Sequence, residues 1–241
     1  MLRNLFILPV SNYHGGVNIL AIETSTEACS AALLREDGAI FSEFEIAPRQ
    51  HMRLLPGMLD AVLGAADIPR NSITHCAFAN GPGAFTGIRI AASQAQGIGL
   101  ALDIPLLPIS TLAVLAQVSL DKFAGSKTLV ALDARMAEIY WAIYGRDQQG
   151  CAELIGRESL TAVDAIDTKA DFDCAAGNGW AVAGMQSVVG GGFPVDAELL
   201  PDARSLLTLA RVVAQQNRGV TADQVRINYL RNQVAKKAKS G

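Results

Sequence analysis

One pattern occurs twice along the chain, and it limits the fold more than any other feature. Residues 18–22, 29–35 and 39–46 read as three successive strands, the last two joined at Asp37-Gly38, a dipeptide suited to a tight hairpin. An amphipathic helix follows, with Leu55, Met58, Leu59, Val62, Leu63 and Ala66 on one face. Then come a strand at 75–79, a glycine turn and a long helix. The second half restarts with strands at 128–133, 138–146 and 151–157, a short helix at 161–169, and a strand at 172–176 running into Gly177-Asn178-Gly179. Tandem βββαβα units predict two α/β lobes facing each other across a cleft. The expected division is an N-terminal extension (1–17), a first lobe (18–105), a second lobe (106–204), and a C-terminal helix with a basic tail (205–241).

The two-lobed actin-like, ribonuclease-H-like ATPase folds are built from such repeats, an analogy of fold and not of activity. In them, nucleotide phosphates sit between two turns, one after the first strand of each lobe. Here the first turn is Glu23-Thr24-Ser25-Thr26, which has an acid and hydroxyls but no glycine. The second is Asp133-Ala134-Arg135-Met136, where two long side chains crowd the space a phosphate would need. A third turn, Asn80-Gly81-Pro82-Gly83, ends an apolar strand. Thr86 reads as the cap of a helix over 87–102, whose free N–H groups would suit an anion. Glu23, Thr24, Ser25, Gly81, Gly83, Thr86 and Asp133 are therefore the candidate residues of a vestigial phosphate site. Arg89, one turn into the helix, suits a phosphate, a carboxylate or a structural ion pair.

Other chemistries find little support. No Lys-Ser/Thr pair follows Gly87, so this is not a P-loop, and GxGxxxG is not the dinucleotide fingerprint. His14, His51 and His75 are too scattered for a metal cluster, and the four cysteines, with no CxxC, read as reduced core thiols. A net charge of −3 argues against the whole surface binding nucleic acid electrostatically. Arg226, Arg231, Lys236, Lys237 and Lys239, with no acid among them, make a basic tail that is solvated or touches RNA or a partner. No apolar run approaches the ~18–20 residues of a membrane span. A cytoplasmic protein with no membrane partner is expected.

The helices carry a further signal. Gly97 and Gly99 lie inside the long helix, where each costs about 1 kcal/mol relative to alanine. Close approach of another backbone would offset that. The preceding helix has a wide apolar face; its residues are either all core or leave a surplus patch for a partner.

Read together, Ile19–Thr26, Leu54-Leu55-Pro56, Gly81–Ile90, Ser110-Thr111-Leu112, Ala131–Met136 with Glu138 and Tyr140, and Tyr229-Leu230-Arg231-Asn232 resemble the TsaB (YeaZ) family over about residues 18–237. The resemblance implies a non-catalytic subunit in bacterial tRNA modification. It would pair with TsaD, a related actin-like protein, and with the ATPase TsaE. The complex transfers a threonylcarbamoyl group to N6 of the adenosine beside the anticodon in tRNAs reading codons that begin with A. It further implies homodimers through the same N-lobe helices, tRNA contact only through the complex, no cofactor bound by this chain alone, and ATP and a metal ion in the partner subunits. Thr111 and Leu115 stand where TsaD has its metal-binding histidines, so neither a metal site nor a catalytic residue is expected here. By resemblance, the partner or dimer interface falls on Leu54, Leu55, Met58, Leu59 and Val62 and on Ile88, Ala91, Ala92, Ala95 and Gly99. A stand-alone ATPase or a metal-independent peptidase is the alternative.

Overall fold

The computed structural model describes residues 16–168 and 171–231. Most of the N-terminal extension (1–15), with His14, and the basic tail from residue 232 onward lie outside the described residues. The first lobe comprises β1 (Ile19–Glu23), β2 (Ala28–Leu34), β3 (Ile40–Ile46), α1 (His51–Ala66), β4 (His75–Ala79), α2 (Phe85–Leu102), β5 (Leu106–Ile109) and α3 (Thr111–Phe123). The second comprises β6 (Lys127–Arg135), β7 (Glu138–Arg146), β8 (Ala152–Ala162), β9 (Cys174–Ala176), α4 (Met185–Val189), β10 (Val195–Asp196) and α5 (Ala203–Gln215). The sheet orders are β3-β2-β1-β4-β5 and β10-β9-β6-β7-β8. In both, the first three strands are antiparallel and the next two add in parallel to the first, so the repeat is structural.

β1 shows how alternation builds two cores. Leu20 and Ile22 point into a cluster with α1 and α2, while Ile19 and Ala21 join the cluster around α5. A strand buried on both faces reads as a continuous apolar run because every position has a core to fill. The last helix of each unit crosses over. α3 packs Leu112, Leu115 and Ala116 on Val130, Leu132 and Ala142 of the second sheet. α5 packs Leu206, Leu207 and Ala210 on the first sheet. The lobes are thus interlocked by exchanged helices, and Ser30 Oγ accepts the Ala203 N–H at 2.9 Å where α5 begins.

Two boundaries differ from the sequence reading. β5, assigned to the second lobe by a division at 105/106, pairs in parallel with β4 and is the edge of the first sheet. Pro108 sits on this edge strand, where a missing N–H is tolerated. The short helix expected over 161–169 is the end of β8 followed by a 3-10 turn, Val163–Ala165. Thr161 stays in the strand, paired with Ile139, and accepts a 2.8 Å hydrogen bond from the Trp141 indole.

Candidate functional site

A cleft of about 1180 Å³ opens between the lobes. Its walls come from the turn after β1, the starts of α1 and α2, the end of β6, and a C-terminal segment at 228–231. Of the predicted phosphate residues, Ser25, Gly83, Thr86 and Asp133 line this cleft, and the first-lobe turns pack on one another. Thr24 Oγ1 donates to the Gly87 carbonyl at 2.8 Å, and the Ala84 N–H donates to the Ser25 carbonyl at 2.7 Å. A Cβ on Gly87 would lie 2.0 Å from the Thr24 oxygen, and one on Gly83 would lie 2.5 Å from the Ser25 oxygen. These glycines let two turns touch backbone to backbone, so their lack of side chains is accounted for without a phosphate. The second lobe repeats the device: a Cβ on Gly177 or Gly179 would meet the Ala131 backbone at 2.2 or 2.8 Å.

The acids are engaged within their own turns. Glu23 is wholly buried; its Oε1 accepts from the Ser25 N–H at 2.6 Å and from the Ser25 hydroxyl at 2.5 Å. Its Oε2 has no partner among the described residues. Burial pushes the carboxyl up to about 7, against the Ser25 hydrogen bonds that favour the anion. Asp133 accepts the Arg135 N–H at 2.7 Å and pairs with its guanidinium at 2.9 Å. Thr86 is exposed and caps nothing; the N-cap of α2 is Ala84, extended and without a side-chain hydrogen bond, and the helix begins at Phe85. The chain turns into the helix two residues early because the Ser25 carbonyl holds Ala84.

Among the described residues, no group of three His, Cys, Asp or Glu side chains could hold a metal ion. Thr111 and Leu115 are buried in the core. His51 lies within hydrogen-bond distance of the Ala28 carbonyl (3.1 Å), and His75 of the Thr74 hydroxyl (2.9 Å). Ser110 caps α3, and its hydroxyl donates to Glu158.

The interface residues expected on α1 and α2 need correcting. Leu55, Met58, Leu59, Val62, Ile88, Ala91, Ala92, Ala95 and Gly99 are buried within this chain, and Leu54 is half-buried against the same core. The wide apolar face of α1 is needed in full to cover the sheet. Gly99 is explained by β5: a Cβ there would lie 2.8 Å from the Leu106 side chain. The outward faces differ. Gly57 and Gly64 on α1 and Gly97 on α2 are exposed, with nothing among the described residues within 4 Å of where a Cβ would stand. Met52 (73 % exposed) and Leu100 (75 %) lie on the same two helices.

Sequence reasoning missed the C-terminal segment as a structural element. The Asn228 N–H donates to the Asn80 carbonyl at 2.8 Å, and the Asn228 side chain donates to Glu158 Oε2 at 2.7 Å. Arg231 reaches the Ala134 carbonyl at 2.9 Å and Glu138 at 2.6 Å. The segment straps the first lobe to the second across the cleft floor, and the Tyr229-Leu230-Arg231 motif was its one sequence signal.

A family model described as TsaD: tRNA N6-adenosine threonylcarbamoyltransferase matches residues 43–191. The tRNA threonylcarbamoyladenosine biosynthesis protein TsaB of Escherichia coli is 34% identical over 93% of this chain and 99% of its own length. The Haemophilus influenzae protein of the same name is 32% identical, covering 93% and 98%. A solved structure called YeaZ from Pseudomonas aeruginosa matches with a TM-score of 0.82 at 38% identity, over 89% of this chain and all of that one. A second Pseudomonas aeruginosa structure, described as uncharacterized with similarity to peptidase YEAZ, matches with a TM-score of 0.85 at the same identity and coverage. With its doubled actin-like architecture and relatives matched nearly end to end, this chain belongs to the TsaB (YeaZ) family.

Proposed function

We propose that this chain serves tRNA threonylcarbamoyladenosine biosynthesis as a non-catalytic subunit, docking the outward faces of α1 and α2 on a TsaD-type partner. TsaE joins that pair, a second copy of this chain occupies the same faces when the partner is absent, and ATP and the metal ion sit in the partner subunits. The relatives' names support the pathway. The observation that carries the docking surface is the set of open helix glycines. Gly57, Gly64 and Gly97 together cost roughly 3 kcal/mol of helix stability relative to alanine, and no neighbour among the described residues requires them. Backbones approaching from outside would. The turns support the non-catalytic reading: Asp133 is held by Arg135, Glu23 is sealed under Ser25, and the glycines are filled by facing carbonyls.

The test is reconstitution. Mixed with a TsaD-type subunit and TsaE, the native chain is expected to co-purify and support tRNA modification, while Gly97→Lys or Leu100→Asp abolishes both. ATP turnover by the isolated chain, or a complex indifferent to those substitutions, would overturn the reading.

A further inference from the structure

The cleft has a second character that its floor does not explain. At its mouth Arg89 is stacked between two aromatic rings, its guanidinium carbon 3.3 Å from the Phe85 ring centre and 5.4 Å from that of Tyr229. Both rings remain open to solvent, Phe85 at 63 % and Tyr229 at 44 %. Arg49 stands on the facing rim, and neither it nor Arg89 forms an ion pair with a carboxylate among the described residues. Of the charged residues lining the cleft, Arg135 is neutralised by Asp133, which leaves Arg49, Arg89 and Arg231 against Glu27; Arg231 is itself paired to Glu138 outside the lining. The mouth is therefore cationic on a chain whose net charge is −3. Beneath it, burial raises the Glu23 carboxyl to about 7, so near neutral pH it carries only part of a negative charge.

From this juxtaposition of exposed rings, a stacked guanidinium and an unpaired arginine, we infer that the cleft mouth binds single-stranded RNA, stacking bases on Phe85 and Tyr229 and holding the backbone with Arg89 and Arg49. An acidic peptide would use the arginines but would gain little from two open rings. A base gains from both, because every base has a face to stack and aromatic platforms accept any sequence. The mouth lies at the N-terminal ends of α1 and α2, beside the proposed docking faces, so RNA bound there would lie next to a seated partner. The inference deepens the tRNA-modification reading and rests on it, and it replaces the expectation that tRNA is met only through the complex.

The experiment uses the full chain alone and a fluorescein-labelled, unstructured 12-nucleotide RNA, read by anisotropy. Saturable binding is expected, weakening about sevenfold between 50 and 200 mM salt if two phosphates are contacted at a single-strand slope of about −0.7 each. Phe85→Ala and Tyr229→Ala should each weaken binding at least about fivefold, and the Arg49→Gln/Arg89→Gln double variant should flatten the salt dependence. Phe85 is on the rim and outside the strap, so its variant reports stacking even if Tyr229→Ala loosens the C-terminal segment. Leu100→Asp, which breaks the proposed docking face, should leave RNA binding unchanged, so failure of docking and failure of RNA binding are read separately. Absence of saturable binding would overturn the inference. So would indifference to Phe85→Ala, or competition by polyglutamate, RNA duplex or free AMP as strong as that of the unlabelled oligonucleotide.

Discussion

Replacing Gly57, Gly64 and Gly97 together with alanine should make this protein more stable and worse at binding. All three lie inside helices, are not among the residues with positive φ, and have at least 4 Å of open space where a methyl would go. Alanine in place of glycine at a compatible helical position gains about 0.4–1 kcal/mol, mostly by restricting the unfolded chain. Three sites give about 1–3 kcal/mol, which for a chain of this size raises the melting temperature by about 2–4 °C per kcal/mol. The same methyls intrude where a partner's backbone is meant to pack, and overpacking costs about 1–3 kcal/mol. Affinity for a TsaD-type subunit should therefore fall at least about fivefold, since 1.4 kcal/mol is one decade. Differential scanning calorimetry on the isolated chain and calorimetric titration with the partner give the two numbers. A lower melting temperature would mean that the glycines are needed inside this chain. A higher one with unchanged affinity would mean that the docking surface lies elsewhere.

Further outcomes follow from the cleft. Gly87→Ala should destabilise the fold by about 1–3 kcal/mol, because its Cβ would sit 2.0 Å from the Thr24 carbonyl; urea unfolding beside Gly57→Ala tests the contrast in sign. Glu23 has a folded pKa raised to about 7, so its protonated form favours the native state. Its contribution is full below about pH 4.5 and is lost as pH rises through 7; Glu23→Gln should flatten that fall and be the more stable by about 3 kcal/mol at pH 8 in urea titrations. Asn228→Ala removes a 2.7 Å hydrogen bond to the Glu158 carboxylate and should cost about 1.5–3 kcal/mol, with limited proteolysis showing faster cleavage near the strap.

The doubled architecture was legible because the central strands of both sheets are buried on two faces, so they appear as apolar runs at matching spacing. Leu20 and Ile22 against Ile19 and Ala21 are the simplest case. β5 was misplaced because the strand it pairs with, β4, lies about 30 residues away, and Pro105 and Pro108 resemble punctuation. Residue types alone could not reveal that a carbonyl fills the space beside Gly83 and Gly87 in the candidate phosphate turns. On α1, periodicity finds an apolar stripe without saying how wide the sheet beneath it is. The sheet took the whole stripe, which moved the candidate surface from the large residues to the small ones. The energetic oddity of Gly97 and Gly99 was visible at once, yet only packing separates them: Gly99 meets Leu106 and Gly97 meets nothing. The strap at 225–231 has no period to detect and became readable only through Asn228 and Arg231.

The most direct test of the docking claim is side-chain oxidation by hydroxyl radicals, with and without a bound TsaD-type subunit. Met52, Leu100 and Met136 are about equally exposed in the free chain, at 73 %, 75 % and 76 %. If α1 and α2 form the docking surface, Met52 and Leu100 lose reactivity in the complex while Met136, on the second lobe, keeps it. Protection of Met136 with Met52 and Leu100 still reactive would contradict the account.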